Sequence, residues 1–234
     1  MAEDPVLLIT GASSGIGAAT ARAASGKYRL VLAARREEEL QKLAEELGGS
    51  ERAIAVRCDV TEWDEVEAMA AAALERFGRI DAVFANAGFG ASRGFLEESP
   101  EHWRSMVLTN VYGVALTIRA TLPHLLERGD GHFLVTSSVA GRRALPGSLY
   151  SATKWAATAI GESLRAELRQ MHDNHAIKVT LIEPGMVDTP FFDNRPGDSA
   201  LGDDDIARAV IFALEQPEGV DVNEILIRPI TQSS

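Results

Sequence analysis

Tyr150 and Lys154 are the residues whose types and spacing point most directly to chemistry. Residues four apart share one face of a helix, so the phenol and the ammonium are expected to lie side by side. An unperturbed phenol, with a pKa of about 10, is a poor base near neutrality, and a nearby cation would lower that pKa. The pair predicts a proton carrier for an alcohol or alkoxide oxygen. The alternative, for these two residues taken alone, is an exposed surface pair.

Two further polar residues could act with this pair. Ser138 follows an apolar run at residues 131–137, and its hydroxyl could orient a reacting oxygen and share its developing charge. A serine at that position is otherwise a turn or cap residue. Asn110 interrupts a long helical pattern, where the alternative is a side chain that bonds the backbone.

A glycine-rich turn, Thr10-Gly11-Ala12-Ser13-Ser14-Gly15-Ile16-Gly17, follows the first apolar run. Its glycines allow a tight turn and a close approach of the backbone to a pyrophosphate, and the following helix offers unpaired N–H groups. The spacing is G-x-x-x-G-x-G, and no Gly-Lys-Ser/Thr follows that would indicate a nucleoside triphosphatase. Its position between a strand and a helix favours a dinucleotide site over a plain turn.

The second apolar run ends at Ala34 and continues as Arg35-Arg36. An acid at this position would accept a hydrogen bond from the ribose 2′-hydroxyl of NAD, whereas arginine matches a 2′-phosphate. The pattern therefore favours NADP(H) over NAD(H). The alternative is that these arginines merely open a solvated helix, and for Arg36 alone this is the default interpretation.

The order of the predicted elements gives these candidates a common location. Apolar runs at residues 6–10, 30–34, 54–58, 82–85, 131–137, 177–183 and 222–227 alternate with helical patterns at 16–25, 37–47, 64–77, 100–126, 151–171 and 204–214. Such alternation predicts parallel strands joined by right-handed crossovers and covered on both faces. We expect an α/β protein with a single-domain Rossmann fold over residues 1–234, a doubly wound seven-stranded parallel sheet with helices on both faces. Ligands of such sheets bind at the carboxyl ends of the strands, where the candidates fall.

Composition limits the classes of function. The 234 residues carry a net charge of −11, which disfavours binding to nucleic acid or to an anionic membrane. No secretory signal or membrane-spanning run is evident. The single cysteine, Cys58, excludes an internal disulfide and fits a reducing compartment, so we expect a cytoplasmic protein. His172 and His175 have helical spacing but no evident third ligand, and we expect no metal.

With the glycine-rich turn, the ordered segments Cys58-Asp59-Val60, Asn86-Ala87-Gly88, Asn110, Ser138 and Tyr150-Ser151-Ala152-Thr153-Lys154 resemble the short-chain dehydrogenase/reductase family. The resemblance implies a catalytic group of Asn110, Ser138, Tyr150 and Lys154, in which Asn110 holds a water that links Lys154 to solvent. Taken with the turn and the two arginines, it implies a dinucleotide held by Gly11, Ser13, Ser14, Gly15, Ile16, Gly17, Arg35, Arg36, Asp59, Val60, Asn86, Ala87, Gly88, Tyr150, Lys154, Pro184, Gly185, Val187 and Thr189. Ala85 departs from the paired asparagines usual in the family.

The choice of serine is open to an alternative. Aligning Ser138-Val139-Ala140-Gly141 with the family's Ser-x-x-Gly selects Ser138, whereas counting back from Tyr150 would select Ser137.

The substrate side is expected to come from the loops at residues 89–94, 141–149 and 191–202. Arg142 and Arg143 could select a carboxylate, against the alternative of a surface or subunit-interface role. The segment at residues 222–229 is similar to a subgroup that includes dehydrogenases of 3-hydroxy acids and hydroxy amino acids.

The sequence therefore predicts an NADP(H)-dependent oxidoreductase that moves hydride between nicotinamide and a small carbonyl or alcohol substrate. The alternatives are a 3-oxoacyl-carrier-protein reductase and, in another class, a regulatory protein that senses NADP(H) without turnover. The family resemblance implies a homotetramer or homodimer built through the long helices at residues 100–126 and 151–171.

Overall fold

The computed structural model describes residues 4–189 and 199–232. Seven parallel strands form one sheet in the order β3-β2-β1-β4-β5-β6-β7. The strands are β1 (Val6–Thr10), β2 (Arg29–Ala34), β3 (Ala53–Arg57), β4 (Ala82–Ala85), β5 (Gly131–Thr136), β6 (Ile177–Pro184) and β7 (Glu224–Ile227). The expected doubly wound, seven-stranded parallel sheet is confirmed.

In the described residues, seven α-helices connect or follow these strands. They are α1 (Gly15–Ala24), α2 (Glu37–Glu46), α3 (Trp63–Phe77), α4 (Pro100–Val107), α5 (Gly113–Arg128), α6 (Leu149–Gln170) and α7 (Asp203–Leu214). The single helix predicted at residues 100–126 is wrong in one respect, because a π-helical turn, Leu108–Tyr112, separates α4 from α5.

The core lies in two layers, one on each face of the sheet. Alternate residues of β1 enter opposite layers: Val6 and Leu8 pack with α3, α5 and α6, whereas Leu7 and Ile9 pack with α1, α2 and α7. Every residue of β1 is buried, because side chains alternate across a strand and both faces are covered. This is why the strands appear in the sequence as continuous apolar runs.

The chain reverses its winding direction beside β1, which pairs with β2 on one side and with β4 on the other. The loops after β1 and β4 therefore diverge at the carboxyl edge of the sheet, and a crevice opens between them. Within residues 4–189 and 199–232, no helix is long and apolar enough to cross a membrane.

Candidate active site

A cleft of about 1100 Å³ lies at the carboxyl edge of the sheet. Its walls contain nearly all the residues predicted to bind a dinucleotide, together with Ser138, Tyr150 and Lys154. Gly17 and Asn110 are the two predicted residues that do not line it, and both lie directly behind the wall. Gly17 packs on Gly11 within the turn, whereas Asn110 contacts segments that are distant in the sequence.

The glycine-rich turn is shaped for close approach. Gly11 and Gly15 have φ angles of 68° and 53°, in the left-handed region that glycine tolerates. A Cβ at Gly17 would lie 2.3 Å from the Gly11 carbonyl oxygen, so the start of α1 packs directly on the turn. Ser14 precedes α1 without capping its N–H groups through its side chain. The turn thus fits a phosphate, which would meet free N–H donors and the positive end of the helix dipole.

Arg36 lies across the mouth of this turn. Its Nη2 donates to Ser13 Oγ at 2.9 Å and to Ser14 Oγ at 2.6 Å. The guanidinium is therefore directed back to the turn, and the alternative of a residue that only opens a solvated helix is not what the structure shows. Arg35 also lines the cleft. The last residue of β2 is Ala34, so no carboxylate occupies the position where an acid would favour NAD.

Two threonines and Asn86 join the ends of the central strands. Thr10 Oγ1 accepts hydrogen bonds from the backbone N–H of Asn86 at 3.0 Å and of Ala87 at 3.1 Å. The Asn86 amide donates to the Thr10 carbonyl at 3.1 Å and accepts from Thr136 Oγ1 at 3.0 Å. Sequence reasoning missed Thr10 and Thr136, although their places at the ends of β1 and β5 were a usable signal.

Tyr150 lies in the first turn of α6, and its hydroxyl is hydrogen-bonded to Ser138. Burial raises the pKa of the phenol to about 12, and the Ser138 hydrogen bond opposes that rise. Ser138 also accepts from the Ala140 N–H at 3.1 Å and donates to the Pro184 carbonyl at 3.3 Å. These contacts fix the Ser138 side chain in the cleft wall.

Ser137, the alternative serine, faces the other way. Its Oγ donates to the Lys154 carbonyl at 3.0 Å and lies 2.7 Å from Thr158 Oγ1, inside the packing of β5 against α6. The geometry therefore favours Ser138 as the residue that meets a substrate oxygen.

Lys154 is buried one helical turn after Tyr150. Its Nζ donates to the Thr136 carbonyl at 2.8 Å and lies 5.7 Å from the centroid of the Tyr150 ring. Burial lowers the pKa of Lys154 to about 8. The largest influence on the pKa of the phenol is burial, which raises it, rather than the lowering expected from this ammonium. The side-by-side placement itself is as expected.

Asn110 is 1% exposed and sits in the π-helical turn between α4 and α5. Its side chain accepts from the Phe89 N–H at 3.0 Å and donates to the Phe89 carbonyl at 2.9 Å and to Thr153 Oγ1 at 3.1 Å. It thus fixes the loop after β4 against α6. Such π turns are frequent at functional sites.

The substrate side differs from expectation. Arg142 does not line the cleft but pairs with Glu183 and Glu224, and Arg143 also lies outside the lining. The idea that Arg142 selects a carboxylate is therefore wrong, because its charge is already matched by two carboxylates. Arg93, in the loop after β4, does line the cleft. Residues 190–198, which include most of the third predicted substrate loop, lie outside the described residues.

The two candidate metal-binding histidines pair with nearby carboxylates. His172 Nε2 lies 3.3 Å from Glu167 Oε1, and His175 Nε2 lies 3.6 Å from Asp173 Oδ1. In the parts of the chain that the structure describes, no group of three or more His, Cys, Asp or Glu side chains could hold a metal ion.

Comparison with known proteins places this geometry in context. The family model for short chain dehydrogenases matches residues 5–199. An alcohol dehydrogenase from the archaeon Thermococcus sibiricus, complexed with 5-hydroxy-NADP, is similar, with 36% sequence identity, a TM-score of 0.90 and 99% of both chains covered.

Two further solved structures are similar. A serine dehydrogenase complexed with NADP+ is 30% identical with a TM-score of 0.89, covering 98% of this chain and 96% of that one. A 3-ketoacyl-(acyl-carrier-protein) reductase from Brucella melitensis complexed with NADH is 31% identical with a TM-score of 0.86, covering 96% and 97%.

Proposed function

This chain belongs to the short-chain dehydrogenase/reductase family, and from that premise we propose that it is an NADP(H)-dependent oxidoreductase acting on a small carbonyl or alcohol substrate. The observation that carries the proposal is the convergence of Ser138, Tyr150 and Lys154 on one cleft with the glycine-rich turn. A nicotinamide dinucleotide bound there supplies or accepts the hydride.

The proton is managed by the chain's own residues. With its pKa raised to about 12, the Tyr150 phenol stays protonated at neutral pH, which is the form that can donate to an oxygen becoming an alkoxide. Ser138 donates a hydrogen bond to the same oxygen and shares its developing charge. Lys154, with a pKa of about 8, carries an ammonium near pH 7 that stabilises the phenolate left behind.

The preference for NADP(H) rests on the side of the cleft next to α2. Arg36 reaches Ser13 and Ser14 of the turn, Arg35 lines the cleft, and Ala34 stands where an acid would favour NAD. A guanidinium binds a 2′-phosphate through charge and geometry that a 2′-hydroxyl cannot match. Two of the similar structures contain NADP or a derivative, and one contains NADH.

We propose small hydroxy acids or hydroxy amino acids, and the matching oxo acids, as the substrate class. Similarity to the serine dehydrogenase supports this choice. Arg93 supports it independently, because it brings a cation to the cleft wall on the substrate side. Similarity to the Brucella enzyme favours a second candidate, a 3-oxoacyl-carrier-protein reductase, although a net charge of −11 suits docking of an acidic carrier poorly.

A screen of purified protein tests these assignments. Oxo acids, hydroxy acids, their neutral esters and an acyl-carrier-protein substrate would each be offered with NADP(H) and with NAD(H). We expect turnover with NADP(H) that exceeds turnover with NAD(H) by at least tenfold, and acids preferred over esters. Dinucleotide binding without turnover of any substrate would instead favour a sensing protein.

We further propose a homo-oligomer, a dimer or tetramer, located in the cytoplasm. The helices that the resemblance assigned to subunit contacts expose large apolar side chains, with Tyr112 47% exposed and Trp155 50% exposed. The buried free Cys58 and the absence of any other cysteine suit a reducing compartment.

A further inference from the structure

The end of β6 carries a carboxylate that the proposed reaction does not use. Glu183 precedes Pro184, the last residue of β6, and its side chain is only 1% exposed. Arg142 Nε donates to both of its oxygens, at 2.7 Å and 2.9 Å. The Arg142 guanidinium also pairs, through Nη2, with Glu224 at the start of β7.

Arg142 and Ser138 flank one short turn. The 3-10 turn Val139–Gly141 begins directly after Ser138 and ends directly before Arg142. Ser138 donates to the Pro184 carbonyl, and Arg142 holds the Glu183 carboxylate. The two ends of the turn are therefore attached to two consecutive residues of β6.

The turn has little freedom on its other side. A Cβ at Gly141 would lie 2.5 Å from Ser137 Oγ and 2.8 Å from the Lys154 carbonyl oxygen, so the turn packs directly on α6. Movement of the Arg142 end would therefore displace Ser138 relative to the helix that carries Tyr150.

An ion pair between one buried and one exposed side chain contributes little to stability by itself. Glu183 loses its water whereas Arg142 remains exposed, so desolvation of the carboxylate offsets much of the attraction between the two charges. A reacting group, by contrast, must be held within a fraction of an ångström. Glu183 and Arg142 lie where such positioning is needed.

We propose that Arg142 and Glu183, with Glu224 on the outer side, are positioning residues that hold the Ser138 hydroxyl in register with Tyr150. The proposal rests on the proposed function, since it assigns a task within that reaction. None of these three residues lines the cleft.

A double-mutant cycle on turnover tests this role. Arg142→Met in the wild-type background should lower kcat roughly 10- to 100-fold, because a misplaced hydroxyl no longer meets the reacting oxygen. In a Ser138→Ala background the same substitution should cause no further loss, because the group that it positions is gone. An equal further loss in that background would overturn the proposal.

Two further comparisons separate positioning from folding. The paired substitution Arg142→Met with Glu183→Met should keep the wild-type melting temperature within a few degrees while kcat stays low, and full recovery of kcat would contradict the proposal. If Arg142→Met does not fold, Arg142→Lys replaces it in the cycle with the same expected non-additivity. The control is Arg169→Met, which removes an ion pair with Asp221 near the opposite end of β6 and should leave kcat unchanged.

Failure of the two proposals can be told apart in the same assays. A wild-type protein without turnover would refute the proposed function. An active wild type together with a fully active Arg142→Met variant would refute the positioning role alone.

Discussion

Burial sets the protonation behaviour of the two central residues of the candidate site. Lys154 is buried and Tyr150 is half-buried at the cleft wall, and desolvation shifts the pKa of each toward its neutral form, to about 12 for the phenol and about 8 for the amine. Opposite shifts in one pair of adjacent groups are a recurring mark of acid–base sites. The sequence predicted the pair and its spacing, but it could not predict how far burial raises the pKa of the phenol.

The two adjacent serines should separate cleanly on mutation. Ser138→Ala should lower kcat by roughly 100- to 1000-fold, since it removes a donor to the reacting oxygen. Ser137→Ala should change kcat by less than about threefold and instead lower the free energy of unfolding by about 1 kcal/mol, because it breaks hydrogen bonds inside the protein. Steady-state kinetics and urea unfolding measure both effects. A larger rate loss for Ser137→Ala would reverse the assignment.

Lys154 should destabilise the fold at neutral pH. Its folded pKa of about 8 lies below its unfolded value of 10.5, so the unfolded chain holds the proton more tightly and stability rises between pH 8 and pH 10.5. The shift corresponds to about 3 kcal/mol at pH 7. After the loss of the hydrogen bond to Thr136, Lys154→Met should stabilise the protein by about 2 kcal/mol at pH 7.

That gain should disappear by about pH 10.5, because the folded lysine is then neutral and the unfolded lysine only half protonated, so little of the desolvation penalty remains. Up to pH 10.5 the folded Tyr150 stays largely protonated, because burial raises its pKa to about 12, so its titration adds little to the difference between the variants. Chemical unfolding at pH 7 and pH 10.5 measures the two values. A Lys154→Met variant that is less stable than the wild type at pH 7 would contradict the account.

Helices and strands position these residues, and sequence patterns predict some of these elements better than others. The strand at residues 177–183 was predicted almost as found, because its side chains enter buried layers on both faces. The break between α4 and α5 could not be predicted, since Asn110 bonds Phe89, which lies 21 residues earlier in the chain. The role of Arg142 was left open between substrate and surface for the same reason, because its partners lie on β6 and β7.

The start of α1 offers a test at the scale of an element. Gly17→Ala should weaken NADPH binding at least tenfold and cost roughly 1–3 kcal/mol of stability, because the added Cβ meets the Gly11 carbonyl oxygen at 2.3 Å. Gly26→Ala, in the turn after α1, is the control, because nothing lies within 4 Å of its Cβ. Fluorescence titration with NADPH and thermal unfolding report both quantities. Unchanged binding in Gly17→Ala would argue against a phosphate site at this turn.

The sequence predicted the overall fold more completely than it predicted the individual elements. Strands alternating with helices predicted a parallel sheet, and the sheet order places the ends of β1, β4, β5 and β6 around one crevice. Residues scattered from Gly11 to Thr189 converge there because parallel strands all end at the same edge. Subunit contacts are different, since an exposed apolar side chain does not identify its partner in a single sequence.

If the chains associate through the long helices, a substitution at the contact should dissociate the oligomer. Trp155→Glu should shift the purified protein to a smaller species, because a charge would replace a large apolar side chain at the contact. Met171→Glu, just after α6, is the control, since Met171 is also exposed but lies beyond the central part of the helix. Light scattering coupled to gel filtration gives the masses. Equal masses for the wild type and Trp155→Glu would refute a subunit contact at Trp155.

The most direct test of the account is Tyr150→Phe, with turnover and NADPH affinity measured on the same preparation. The substitution removes only the hydroxyl that carries the proton, so kcat should fall at least 1000-fold while the Kd for NADPH changes less than about threefold. A Tyr150→Phe protein that keeps more than a tenth of the wild-type kcat would contradict the account.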